Sequence, residues 1–192
     1  MKNQKSTKKI RKILKDNNKG ISVDLGCGSR KQPGFVGIDI RALPGVDIVQ
    51  DLEQFPWPLP NESVSFMVSS HVAEHIDPAH GTFLRWMDEC WRIMKHGGQF
   101  VLAMPYAGSR GDFQDPTHCN HLNDATWSYF DPLSSSGVLY DIYRPKPWKI
   151  IKCTYDLTGN MEVCLEKRRI DKTYQTNDEN EHADKEHGKE QK

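Results

Sequence analysis

Short apolar runs alternate with polar, breaker-rich stretches along the middle of the chain. Ile21–Leu25 runs into Gly26-Cys27-Gly28, Phe35–Ile40 is a second run, and Val46–Val49 is a weaker third. Val64–Ser69 alternates, placing Val64, Phe66 and Val68 on one side, after the turn-rich stretch Pro56–Asn61. Gln99–Met104 lies between Gly97-Gly98 and Pro105. Each of these has the length and the flanking residues of a strand. From His80 to Met94, the residues Phe83, Leu84, Met87, Trp91 and Met94 recur at helical spacing, which predicts an amphipathic helix with Gly97 near its C-cap. Residues 124–130 predict a short helix, capped by Asn123 or Asp124 and stopped at Pro132. Lys149–Leu157 and Met161–Leu165, separated by Thr158-Gly159-Asn160, read as an antiparallel hairpin. Strands alternating with helices and then a closing hairpin imply an α/β fold: a doubly wound, mostly parallel sheet with an antiparallel C-terminal hairpin.

The 192 residues suit one domain, expected over 20–170, between two polar ends. Formal neutrality conceals a segregation of charge. Residues 1–19 carry eight basic side chains against Asp16 alone, a net of +7, whereas 20–165 has a net of −6. An acidic body is a poor platform for a phosphate backbone, so nucleic-acid binding is disfavoured, and only the basic arm would support it. Ile10, Ile13 and Leu14 in that arm have helical spacing, and a short docked helix with solvated lysines is the plainer reading. The stretch from 171 to 192 is nearly all polar and is expected to be disordered. Five cysteines without a C-x-x-C pair argue against a disulfide framework. No apolar run approaches the roughly 20 residues that span a bilayer, and no signal-peptide core is present. A cytoplasmic protein with no membrane association is the expectation.

In an open parallel sheet, ligands bind beyond the carboxyl ends of the strands, where the chain order reverses. Asp24-Leu25-Gly26-Cys27-Gly28 ends the first run, and its glycines allow a tight turn and a close ligand. Asp39 ends the second, placed to accept two hydrogen bonds from a ribose diol. Asp51-Leu52 follows the third, a polar group beside an apolar wall. Ser69-Ser70-His71 ends the fourth. A nicotinamide dinucleotide is disfavoured, because the third glycine of G-x-G-x-x-G is replaced by Lys31 and Asp39 follows Gly28 by only eleven residues.

Taken in order, Val23-Asp24-Leu25-Gly26-Cys27-Gly28, Gly37-Ile38-Asp39-Ile40, Asp51-Leu52, Ser69-Ser70-His71-Val72-Ala73-Glu74-His75-Ile76 and Gly97-Gly98-Gln99-Phe100 resemble the S-adenosylmethionine-dependent methyltransferases of the seven-stranded, Rossmann-like (class I) type. The resemblance covers roughly residues 20–165. It implies S-adenosylmethionine as cofactor, with Gly26 and Gly28 against its methionine part, Asp39 on the ribose, Asp51 on the adenine amine and Leu52 on the adenine face. Asp24 would lie near the sulfonium or order the glycine loop. Cys27, Ile40, Ser69 and His71, at the same strand tips, complete the candidate cofactor set. One departure stands out: only six residues separate Gly28 from Phe35, where the family usually places a helix. A parallel crossover normally needs a dozen or more. The connection is therefore expected to be a tight loop, with Arg30 or Lys31 gripping the cofactor carboxylate.

Acceptor-side candidates follow the fourth and fifth strands: His71, Glu74 and His75, then Tyr106, Asp112 and Asp115-Pro116-Thr117-His118-Cys119-Asn120-His121. Related methyltransferases of unassigned substrate show a similar D-P-x-H loop followed by an aromatic helix, here Thr126–Phe130. A histidine is suited to act as general base near neutral pH, and His71, His118 and His121, with Asp115, form the catalytic candidate set. The alternative for His118 is a hydrogen bond within its loop, and for His75 a packing role. His118, Cys119 and His121 offer metal-ligand types, but their spacing matches no standard zinc pattern, so no metal is expected. Trp127, Tyr129, Phe130, Tyr140, Tyr143 and Trp148 are expected in the core or a lid, and Ser134–Pro147 over the pocket. The absence of an Asn-Pro-Pro-aromatic tetrad after the fourth strand disfavours amino-group methylation of bases or glutamine. The expected activity is methyl transfer to a small-molecule acceptor. The alternatives are a silent cofactor-binding module and a nucleic-acid-associated enzyme using the basic arm.

Overall fold

The computed structural model describes residues 20–143 and 145–169. The expected N-terminal helix and the expected polar tail from 171 lie outside the described residues. Seven strands form one sheet: β1 (Ile21–Leu25), β2 (Val36–Asp39), β3 (Ile48–Val49), β4 (Val64–Ser70), β5 (Met94–Pro105), β6 (Trp148–Tyr155) and β7 (Asn160–Lys167). Their order is β3-β2-β1-β4-β5-β7-β6. β1 to β5 are mutually parallel, and β7 runs antiparallel between β5 and β6. The order reverses between β1 and β4, the position in an open parallel sheet beyond whose strand tips ligands bind.

The central strands are buried on both faces toward their tips, as parallel strands usually are. Val23, Asp24 and Leu25 are all buried, as is every residue of β2. For β4 the alternation read from sequence is incomplete, since Val64, Met67 and Ser69 are buried while Phe66 and Val68 are only half-buried. A register shift between Val64 and Phe66 breaks the period of two.

The predicted amphipathic helix is α1 (Thr82–Ile93), but its buried face is rotated from the expected one. Phe83, Trp86, Met87, Cys90 and Ile93 are buried, whereas Leu84 is 39% exposed and Trp91 half-buried. Nor does Gly97 cap this helix. The chain turns extended at Met94 and enters β5 directly. Gly97, at φ +71°, lies in the irregular stretch between the pairs Val64↔Met94 and Phe66↔Gln99. Three shorter helices follow: α2 (Arg110–Phe113), α3 (Asp124–Ser128) and α4 (Ser135–Leu139). α3 starts at Asn123 as predicted, with a reciprocal cap between Asn123 and Thr126. Its Trp127, with Phe130, packs on Phe83 of α1, so both rings belong to the core.

The first crossover contains no helix; residues 26–35 form a chain of turns between β1 and β2. It is held by hydrogen bonds rather than by a packed helix. The Gly26 and Cys27 amides donate to the Ile38 carbonyl, and the Gln32 amide donates to Asp24. Gly37 is required beneath it, because a Cβ there would lie 2.6 Å from Lys31 Cδ and 2.7 Å from Cys27 Sγ. Among the described residues no helix is long and apolar enough to cross a membrane.

Candidate functional site

At the tip of β1, Gly26 and Gly28 adopt φ of +66° and +54°, conformations that L side chains rarely take. The two glycines have different reasons to be there. A Cβ on Gly26 would lie 2.2 Å from Val72 Cγ2, so this glycine lets the β1 loop pack on the β4 loop. A Cβ on Gly28 would meet nothing nearer than the Arg41 guanidinium at 3.6 Å, which leaves its backbone accessible. Asp24 is buried and accepts from the Gln32 amide at 2.8 Å. Burial pushes its carboxyl above the ordinary value, against the pull of that hydrogen bond and of Lys31. Cys27 is likewise pushed up, to about 11, by burial and by the charges of Asp24 and Asp39. Its thiol is therefore inert at neutral pH.

Asp39 ends β2 almost fully buried, its plane fixed by two amides: Gly28 donates to Oδ2 (2.9 Å) and Arg41 to Oδ1 (2.8 Å). The Arg41 Nε adds a longer bond to Oδ1 at 3.3 Å. Burial raises the Asp39 carboxyl, but these bonds outweigh it and hold the group below its ordinary value. Each oxygen keeps a lone pair for a further donor. Ile40 beside it is 63% exposed and offers an apolar face at the same tip. Asp51 turns its Oδ1 to the Glu53 amide, while Leu52 is a buried member of the core cluster that accepts the Trp57 indole on its carbonyl. Ser69 is buried at the tip of β4 with its hydroxyl unpartnered. Arg30 is exposed, whereas Lys31 is paired with Asp47 at 2.6 Å. Of the two expected carboxylate grips, only Arg30 remains uncommitted. Two buried carboxylates, an open glycine turn and an unpartnered hydroxyl are a donor and acceptor set suited to a cation carrying a diol.

Beyond the tips of β4 and β5 is a hollow of about 410 Å³, lined by His71, Glu74, His75, Asp115 and His118 from two loops and by Thr158–Asn160 from the β6–β7 turn. His71 adopts φ +55° and its Nδ1 lies 3.0 Å from Glu74 Oε1. The hydrogen bond to this buried carboxylate raises the imidazole pKa, outweighing its partial burial. His118 Nδ1 lies 2.8 Å from the Asp112 carbonyl, which can only accept, so that nitrogen carries the proton. Asp115 is held below its ordinary value by the Thr117 hydroxyl and amide.

Not every candidate reaches this hollow. His121 is held at 3.0 Å by the buried Asp112, packs near Phe113 and is not part of the lining. Cys119 donates to the His75 carbonyl at 3.5 Å, so the trio His118, Cys119 and His121 does not converge. Nor does the stretch 134–147, in its described residues, line the site. Its end is bonded to Trp91, late in α1, and it leads into Trp148, which pairs with Lys167 at the opposite end of the sheet. Tyr143 stacks on Tyr129 there and Tyr140 packs on it at a tilt. Sequence reasoning missed Arg41 beside Asp39, and Arg110 and the hairpin turn in the hollow. The predicted hairpin carried the signal for the turn, since an antiparallel β7 returning along β5 brings Asn160 to Pro105.

Residues 23–102 match a family model described as a methyltransferase domain. No curated protein matches the chain. Among solved structures, a SAM-dependent methyltransferase from Archaeoglobus fulgidus aligns with a TM-score of 0.53 at 15% identity, over 85% of this chain and 94% of its own. SAM-dependent methyltransferases from Methanosarcina mazei align with a TM-score of 0.51 at 15% identity, over 81% of this chain and 97% of theirs. At such identities the likeness is one of fold: a seven-stranded, mostly parallel sheet closed by antiparallel C-terminal strands.

Proposed function

We propose that this chain, a methyltransferase domain on the class I fold, binds S-adenosylmethionine at the β1 and β2 tips and methylates a small polar acceptor in the hollow beyond β4 and β5. The observation that carries the reading is the adjacency of two unlike half-sites across the switch point. An acidic, glycine-turned rim adjoins a polar hollow whose size suits a small ligand. When bound, the sulfonium supplies an electrophilic methyl group: the acceptor's lone pair forms the new bond to carbon, and the C–S electron pair returns to sulfur.

The chain's own residues orient and discharge. Asp24 favours a cation at the glycine turn, and Asp39, its plane locked by two amides, accepts from the ribose hydroxyls. The Arg41 guanidinium, held there by one long bond, yields its place to them. Ile40 offers an apolar face to the base, in keeping with its exposure, and Asp51 a carboxylate to the amine. Leu52 supports that surface from within the core. On the acceptor side His71 is the preferred base. Its Nδ1–H is committed to Glu74, which leaves Nε2 to take the acceptor's proton, and the raised pKa strengthens it for that purpose. Arg110 at the same hollow favours an acceptor with an anionic or strongly polar group. Most of the acceleration is then positional, because in-line displacement gains chiefly from a fixed near-attack geometry.

The test is calorimetric binding of S-adenosylmethionine, S-adenosylhomocysteine and NAD, then of the first two to Asp39→Ala. Both adenosyl compounds should bind while NAD does not, and Asp39→Ala should weaken them at least tenfold. Undiminished affinity in the variant would remove the ribose assignment.

A further inference from the structure

Glu74, His75 and His118 come together from two loops far apart in sequence. Each offers a ligand atom, and these atoms lie within 4.8 Å of one another. We propose that these three side chains form a binding site for a divalent first-row transition-metal ion, of which Zn²⁺ is the reference, opening into the hollow beyond β4 and β5. This site is independent of the cofactor assignment. It is also not the trio suggested by the sequence, because Cys119 and His121 are turned elsewhere.

Hydrogen bonding prepares each ligand. His118 donates its Nδ1–H to the Asp112 carbonyl, so the lone pair of the neutral ring is on Nε2, 3.9 Å from Asp115 Oδ2. Thr117 donates its hydroxyl hydrogen to Asp115 Oδ1 at 2.7 Å, so its oxygen accepts from His75 Nδ1 at 3.1 Å. His75 is thereby fixed in the same tautomer, again with Nε2 free. Metal-bound imidazoles characteristically donate the second ring N–H to a carbonyl or a hydrogen-bonded polar group in this way. Glu74 is 1% exposed, with Oε1 on His71 and Oε2 buried and unpartnered. A buried carboxylate oxygen without a donor is costly, and a cation between it and two imidazoles would compensate.

The scaffold is rigid where it needs to be. The Cys119 and Asn120 amides both donate to the Glu74 carbonyl at 3.0 Å, and the Asn120 side chain donates to Ala73. The His75 and His118 rings meet edge to face at 4.8 Å. In a tetrahedral zinc site neighbouring ligand atoms are about 3.3 Å apart, so the side chains close on the ion by rotation while the pinned backbone stays. Two imidazoles and one carboxylate select transition ions over Mg²⁺ and Ca²⁺, which prefer oxygen. Three protein ligands leave coordination positions facing the hollow, where an oxygen of a bound molecule can join.

The test uses the tag-free 192-residue chain, stripped with a chelator and titrated with Zn²⁺ by calorimetry, with S-adenosylhomocysteine affinity measured in parallel. The expected result is one ion per chain, bound at least tenfold more weakly by His118→Ala and by the near-isosteric Glu74→Gln. Thr117→Val, which removes the acceptor fixing His75, should weaken it about tenfold. Cys119→Ser should bind as the parent does, and Co²⁺ in the site should show no thiolate charge-transfer band. Parent affinity in Glu74→Gln, loss of the ion in Cys119→Ser, or no saturable Zn²⁺ binding would overturn the proposal. Should His118→Ala fail to fold, Glu74→Gln decides. Binding of S-adenosylhomocysteine is a separate reading, so its failure would remove the cofactor assignment and leave the metal result standing.

Discussion

Asp24 is a buried carboxylate at a strand tip, and burial makes its charge unfavourable to the fold at neutral pH. Its pKa is raised above the ordinary 3.8, principally by burial. The stability this group contributes is therefore fully present below pH 3.8 and is lost as pH rises through the folded-state value. Asp24→Asn keeps an acceptor for the Gln32 amide and removes the charge. Its melting temperature should exceed that of the parent at pH 7 and match it near pH 3. The same substitution should weaken S-adenosylmethionine on the order of tenfold, because a cation loses a nearby buried charge. A variant destabilised at pH 7 would show that the charge is compensated within the fold. Asp39 has the opposite sign: amide bonds and Arg41 lower its pKa, so its contribution is present at neutral pH and lost as pH falls through the lowered value. The two aspartates read alike in the sequence, and only their surroundings separate them.

At the scale of the element, α1 shows how a correct helix can be assigned the wrong face. Its sequence carries two overlapping apolar stripes that share Phe83 and Met87. One adds Leu84 and Trp91; the other adds Trp86, Cys90 and Ile93, and it is the second that packs on the sheet. Position alone did not separate them, because each satisfies the three- and four-residue spacing. Polar tethers settle the rotation. Glu89 is buried among the apolar residues and accepts the Trp57 amide at 2.6 Å while pairing with Arg92. Trp86→Ala should cost about 3–5 kcal/mol in urea unfolding, the usual range for a fully buried aromatic. Leu84→Ala, at a partly exposed position, should cost less than about 1 kcal/mol. Equal losses would contradict the observed rotation. Helix α3 was legible because its start is a local event, the reciprocal Asn123–Thr126 cap, that needs no tertiary information.

Over the whole molecule, the hollow is assembled by sheet topology from parts that no local pattern links. The parallel pairing of β4 with β5 brings the His71–His75 segment beside the loop that follows Pro105. The antiparallel return of β7 along β5 then sets Asn160 against Pro105, so the β6–β7 turn forms part of the wall. Gly159 is the joint: at φ +85°, a Cβ there would lie 2.5 Å from Ser109 Cβ. Gly159→Ala should displace the turn from the loop after β5. The expected result is a several-fold lower turnover, with S-adenosylhomocysteine affinity within twofold of the parent. A loss of cofactor affinity instead would mean that the two half-sites are not separable.

What the sequence determined by itself was local or strongly periodic. The glycine turn after Ile21–Leu25, the acidic ends of the first two strands, the helix-free first crossover and the closing hairpin all follow from breakers and short-range patterning. Tertiary structure decided whatever depends on which surfaces meet. It committed Lys31 to Asp47, laid Arg41 on Asp39, sank Leu52 into the core and carried Pro147 beside Trp91, away from the hollow. It also drew Glu74, His75 and His118 together while turning Cys119 and His121 aside. The physical reason is range. Backbone preference and capping act within a few residues, whereas a convergent set of side chains is fixed by strand order and register across the whole chain.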